Sequence, residues 1–136
     1  VLYDKKILKK LISTKEKNSL LLDKKIEPGE EPVKVCIKNN KVCDFGKIID
    51  SDFDFQGESV GFFKFSRDAA FMLLNESKKI MKNNKNAMYE DAIQKIIKDK
   101  KIFIAFENIT NLPWIEIDFK KDLELAKKNI LKKINE

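Results

Sequence analysis

Trp114-Ile115-Glu116-Ile117-Asp118 is the segment whose residue types and spacing say most about chemistry. Side chains alternate along a strand, so Trp114, Glu116 and Asp118 share one face at intervals of about 6–7 Å, while Ile115 and Ile117 bury the other. Two carboxylates at the end of a strand, where a helix begins, stand where α/β proteins collect ligands. Hard oxygen donors of this kind suit Mg²⁺ with a phosphate-bearing substrate. The same residues also admit a structural use, with Asp118 as the N-cap of the last helix and Glu116 as a solvated acid.

A second cluster, Tyr89-Glu90-Asp91, stands at the head of a helix. Acids in a first turn favour the helix dipole. An aromatic ring beside carboxylates is also a cage for a cationic group, such as a primary or quaternary amine. Gly57-Glu58 precedes a Phe-rich strand, where the glycine is read as turning the chain. Lys34 and Lys47 are of a type that pairs with phosphate, although among 28 Lys and Arg each is equally an ordinary surface cation. Lys127, Lys128, Lys132 and Lys133 form the solvated side of a C-terminal helix.

The elements that must position these residues follow from hydropathy. Ile7, Leu8, Leu11 and Ile12 recur at helical spacing, which predicts a helix over 4–13. Ser19 to Asp23 is an apolar run ended by an acid, read as a buried strand, and Glu27-Pro28-Gly29-Glu30-Glu31-Pro32 is read as a turn. Val33 to Lys38 alternates, Asn39-Asn40 tolerates a tight turn, and Lys41 to Phe45 returns as a hairpin. A two-residue loop predicts Lys38 opposite Lys41, Ile37 opposite Val42 and Cys36 opposite Cys43, with both thiols reduced. Gly57 to Ser66 is read as a strand, and Ser66 as the cap of a helix with Ala70, Leu73, Leu74, Ser77 and Met81 inward. A second helix over 88–99 buries Met88, Ala92, Ile93, Ile96 and Ile97. Strands at 102–106 and 114–118 follow, then a helix with Leu123, Ala126, Ile130 and Ile134 inward. That order is α/β material with mixed strand directions and one domain.

Composition narrows the functions. The chain has 136 residues, a net charge of +6, ten Phe and no His, so catalysis that depends on His and the common zinc sites are excluded. The longest wholly apolar run, Ala69 to Leu74, is far short of the ~20 residues that span a bilayer, so no membrane association is expected and a cytoplasmic location is. Charges are interleaved and the excess of Lys accompanies an excess of Asn and Ile. Nucleic acid is therefore not an expected partner.

Taken in order, Gly57-Glu58-Ser59-Val60-Gly61-Phe62-Phe63-Lys64-Phe65-Ser66, Tyr89-Glu90-Asp91-Ala92-Ile93, and Trp114-Ile115-Glu116-Ile117-Asp118-Phe119 with Asp122-Leu123 resemble the second half of the sugar-nucleotidyltransferase-like family. Within it, they are most similar to the cytidylyltransferases for phosphocholine and related phosphorylated amines or phosphonates. The resemblance implies the C-terminal half of a Rossmann-like nucleotidyltransferase fold with a mixed sheet and a β-hairpin insertion. It implies transfer of CMP from CTP to a small phosphorylated acceptor, with Mg²⁺ steadying the charge as pyrophosphate leaves. Catalysis of that kind is positioning and electrostatics, and no residue of this chain is assigned a covalent or acid–base step.

Carried over by position, Asp118 is a metal ligand and Glu116 helps with the metal or the amine. Tyr89 and Asp91 hold the cationic head group, with Glu90 between them a further substrate-binding candidate; Trp114 and Glu58 are pocket walls, and Lys47 is a candidate contact for phosphate. The family's first half, with a Gly-rich triphosphate loop and another metal-binding Asp, has no counterpart here, and Val1 aligns just after that Asp. The expected partners are thus CTP, the acceptor, and the missing half as a second chain or through self-association. A sugar-1-phosphate nucleotidyltransferase and a non-catalytic basic α/β module are the alternatives.

Overall fold

The computed structural model describes residues 1–26 and 32–134. The expected turn over 27–32 therefore falls outside the described residues except for Pro32. The elements are β1 (Leu2–Tyr3), α1 (Lys5–Ser13), β2 (Ser19–Asp23), β3 (Lys34–Lys38), β4 (Lys41–Gly46), β5 (Phe55–Lys64), α2 (Arg67–Asn83), α3 (Tyr89–Lys98), β6 (Ala105–Asn108), β7 (Trp114–Ile115) and α4 (Lys120–Leu125). A wide turn at Ala126–Ile130 and a last helical turn, Leu131–Ile134, complete the chain's described part. The fold is α/β with a mixed five-stranded sheet ordered β4-β3-β5-β2-β6, in which only β2 and β6 run parallel.

β2 sits next to the sheet edge yet is buried on both faces, which explains its unbroken apolar run. Leu20 and Leu22 join Val35, Ile37, Phe45, Ile93, Ile97 and Ile104 in one core; Leu21 joins Ile7, Leu11, Val60 and Ile109 in the other. Thus α3 covers one face and α1 the other. The sheet also curls until the edge strands meet, with the Val42 N–H donating to the Ile104 carbonyl at 3.4 Å.

Local chemistry sets the ends of the elements. Asp4 caps α1 by accepting from the Lys6 N–H at 2.8 Å, and Ser66 caps α2 by accepting from the Ala69 N–H at 3.2 Å. Asn39 and Asn40 both have positive φ, at 50° and 60°, as a twisted two-residue hairpin turn needs.

Several expectations are corrected. The hairpin register holds for Lys38↔Lys41 and Ile37↔Val42, but a bulge then sets Cys36 against Asp44, so Cys43 is not its partner. Both thiols are free; burial, then Asp44, pushes the Cys36 thiol up to about 12, and burial raises Cys43 as well. In α2 the inward side is Ala69, Leu73 and Glu76, one position round from the expected stripe, and Leu74 and Met81 are exposed. Glu76 is held there by Lys101 at 3.0 Å, a partner that hydropathy does not show. Met88 precedes α3 and is exposed, and the 102–106 strand begins only at Ala105.

A further correction bears on the site. β7 ends at Ile115, where its pairing with Leu2 of β1 ends, so Glu116 to Asp118 is not strand. Asp118 is not the helix cap either. Asp122 performs that task, its Oδ2 accepting from the Phe119 N–H at 2.9 Å and the Asp118 N–H at 3.2 Å. Of the expected inward residues of the last helix, only Ala126 is fully buried, and Leu123 is exposed.

Candidate functional site

The sequence-predicted residues fall into two groups linked by Lys34. In the first, the parallel strand β2 delivers Asp23 to its C-terminal end, in register with Glu58 of β5. Asp23 is 7% exposed, and its carboxylate accepts from the Trp114 indole N–H at 2.8 Å and from the Lys25 N–H at 2.9 Å. An indole N–H in a largely buried setting needs such a partner, and this bond fixes Trp114 to the sheet. Expected pocket walls Trp114 and Glu58 therefore meet through Asp23, which sequence reasoning had not singled out. Its signal was available: an acid closing an otherwise wholly apolar run.

Gly57 makes this junction possible. A Cβ there would lie 2.5 Å from the Asp23 carbonyl and 2.8 Å from the Leu22 side chain. The glycine thus does not turn the chain; it admits close approach of β2 within a continuous strand.

Across β5, Lys34 is in register with Glu58 on one side and with Gly46 on the other. Its ammonium donates to the Lys47 carbonyl at 3.2 Å. Beyond lies a cavity of about 440 Å³ between the 46–50 segment and α3, lined by Gly46, Lys47, Ile48, Asp50, Met88, Glu90, Asp91, Gln94 and Lys98. Three expected substrate-binding residues thus line one cavity, Lys47 from the 46–50 segment and Glu90 and Asp91 from α3.

Beneath the lining residues Gln94 and Lys98 the packing is polar and tightly held. Asp44 is fully buried; its Oδ1 accepts from the Phe45 N–H at 2.8 Å and Gln94 Nε2 at 2.9 Å, and its Oδ2 faces Lys98 Nζ at 3.4 Å. Burial alone would raise the Asp44 carboxyl, but the bonds from Gln94, Ser51 and Phe45 and the charge of Lys98 hold it below the ordinary range. Lys98 also bonds Asp50, which keeps the ammonium above its usual value.

At the α3 head the two acids and the one aromatic differ in their partners. Asp91 Oδ2 accepts from the Met88 N–H at 2.9 Å, so one of its oxygens caps its own helix as Asp122 does for α4. Glu90 is 8% exposed, and its Oε2 is fully enclosed with no hydrogen-bond partner. Tyr89 is 49% exposed and sits edge-on to Phe63, ring centroids 6.1 Å apart, and Phe63 stacks on Phe65. Burial first, then the charges of Glu90 and Glu116, raise the Tyr89 phenol above its usual value. Glu116 therefore lies within electrostatic reach of Tyr89, which draws the α3 head and the segment after β7 together.

Glu116 and Asp118 are exposed, and the Asp118 carboxylate makes no hydrogen bond or ion pair among the described residues. Their hard oxygen donors suit Mg²⁺ in kind. Among the described residues no group of three or more acids or thiols is arranged to hold a metal. Nor is any helix among them long and apolar enough to cross a membrane.

The strand order, the parallel β2–β6 pair and the helices on both faces define a Rossmann-like α/β fold. Among solved structures, the chain shares this fold with the inositol-1-phosphate CTP transferase from T. maritima, with a TM-score of 0.63 and 20% identity over 99% of the present chain. The chain spans 53% of the length of that protein. No protein-family model and no curated protein matches it in sequence.

Proposed function

We propose that this chain is the acceptor-binding half of a cytidylyltransferase that moves CMP from CTP to a small phosphorylated amine or phosphonate. The observation that supports this most is the fold shared with a CTP transferase over 99% of the chain, at about half that protein's length. The missing half supplies the nucleotide site, as a further part of the polypeptide or as a second chain, and this half alone is inactive. In the reaction an oxygen of the acceptor's phosphoryl group attacks the α-phosphorus of CTP, and the α–β anhydride bond breaks to release pyrophosphate.

This chain's residues bind and orient the acceptor. Lys47 meets the phosphoryl end, and Glu90, with Tyr89 and Asp91 at its sides, takes the cationic end. Trp114 and Glu58, fixed through Asp23, wall the side nearer β7. Asp118 and Glu116 would hold Mg²⁺, shared with the nucleotide phosphates, and the ion would neutralise charge developing on the leaving pyrophosphate. Two carboxylates are too few for a complete site, in keeping with a site divided between two halves.

A second reading, a cyclitol or sugar phosphate as acceptor, is favoured by one observation: the structural neighbour is an inositol-1-phosphate CTP transferase. The test is pyrophosphate release from CTP by this chain combined with its nucleotide-binding half, across phosphorylated amines, phosphonates and inositol 1-phosphate. Asp118→Ala should reduce turnover roughly a hundredfold without changing the fold. Unchanged turnover in that variant, or no release with any acceptor, would overturn the proposal.

A further inference from the structure

Glu90 carries one of three enclosed side-chain oxygens among the described residues that lack a hydrogen-bond partner, with Ser19 Oγ and Asp44 Oδ2. It is 8% exposed and lines the cavity between α3 and the 46–50 segment, and its Oε2 is enclosed without a hydrogen-bond partner. Buried carboxylate oxygens are costly to leave unpaired, and native structures keep few of them. Neighbouring acids differ: Asp91 Oδ2 has the Met88 N–H and Asp44 Oδ1 has Gln94 and the Phe45 N–H, while Asp44 Oδ2, also without a hydrogen bond, at least faces the Lys98 ammonium at 3.4 Å. The two lysines on the cavity wall do not answer Glu90, because Lys98 is held by Asp44 and Asp50 and neither lysine forms an ion pair with it.

We infer that Glu90 selects an acceptor whose nitrogen carries hydrogens, a primary ammonium rather than a trimethylammonium. A primary ammonium brings N–H donors to the Glu90 carboxylate. A quaternary nitrogen has none and is recognised instead by aromatic faces. No aromatic ring lines this cavity; its carbon surface comes from Met88 and Ile48. The ring of the adjoining residue, Tyr89, is packed edge-on to Phe63. Lys47 lines the same cavity and makes no ion pair among the described residues, so one cavity offers an acid for the amine and a cation for an anionic tail. About 440 Å³ holds a small zwitterion. Assigning the anionic tail to a phosphoryl group rests on the acceptor-binding reading above; the preference for N–H does not.

The test is calorimetric titration of the full chain with 2-aminoethyl phosphate, its N,N,N-trimethyl analogue and inositol 1-phosphate. The amino compound should bind at least tenfold more tightly than the trimethyl one. Glu90→Gln should bring the two within threefold, whereas Lys47→Ala should weaken both and keep the preference. Should Glu90→Gln fail to fold, the wild-type ratio and the Lys47→Ala variant still decide. Equal affinity for the trimethyl analogue, tighter binding of inositol 1-phosphate, or no saturation by the amine overturns the inference. A preference for the amine without CTP-dependent pyrophosphate release, once the nucleotide half is present, leaves the inference standing and sinks the transferase reading. Release with inositol 1-phosphate and indifference to the amine does the reverse.

Discussion

Two carboxylates of nearly equal burial, Asp23 at 7% and Glu90 at 8% exposure, occupy the two halves of the candidate site and are treated oppositely by their surroundings. Asp23 receives an indole N–H and a backbone N–H; Glu90 Oε2 receives nothing. Equal burial therefore does not mean equal bonding to the surroundings. Asp23 ties β2 to Trp114, and so fixes where the segment bearing Glu116 and Asp118 leaves the sheet. Glu90 stands at a helix head, where the dipole favours a negative charge but adds no donor to Oε2.

The largest effect should come from disturbing the strut through its backbone. Gly57→Ala puts a Cβ against the Asp23 carbonyl, which cannot swing aside as a side-chain tip can. We expect a loss of about 3 kcal/mol, the upper end for overpacking, measured by urea unfolding. A loss below about 1 kcal/mol would show that β2 and β5 separate easily and that Asp23 is not rigidly placed.

The direct comparison comes next. Asp23→Ala leaves the Trp114 N–H without its acceptor and should cost about 2 kcal/mol. Glu90→Gln removes a buried charge that has no partner and should be neutral or stabilising by roughly 0.5 kcal/mol. Opposite behaviour of two equally buried acids is the signature of a strut and an open site. If Glu90→Gln costs as much as Asp23→Ala, the comparison fails and Glu90 is structural.

What the sequence made legible follows the range of the interactions involved. Period and caps are local, so α1, β2, the Asn39-Asn40 hairpin, the Ser66 cap and α3 appear within a few residues of their expected bounds. The α/β class with a mixed sheet follows from their order. Where local signals competed, the expectation went astray: Asp118 and Asp122 are both able to cap the last helix, and the N3 carboxylate took the backbone N–H groups. Cys36 and Cys43 look like partners until the bulge, which leaves Cys43 as the extra residue and sets Asp44 opposite Cys36. Trp114 was singled out for its own chemistry, but its acceptor lies 91 residues earlier, a separation that no pattern in the chain encodes.

The smallest effect tests whether the two halves of the site communicate. Tyr89 is held above its usual pKa by burial, then Glu90, then Glu116, and each negative charge disfavours the phenolate. Removing either charge should therefore lower the Tyr89 pKa, Glu90→Gln by more than Glu116→Gln. The change is read from the ultraviolet absorbance of the phenolate in a Tyr3→Phe background, where Tyr89 is the remaining tyrosine. A bound ammonium that neutralises Glu90 should lower the pKa in the same direction as Glu90→Gln, and should have no effect in that variant. If Glu116→Gln leaves the titration unmoved, Glu116 is electrostatically separate from the α3 head, and the acceptor cavity and the metal-ligand candidates are two sites instead of one.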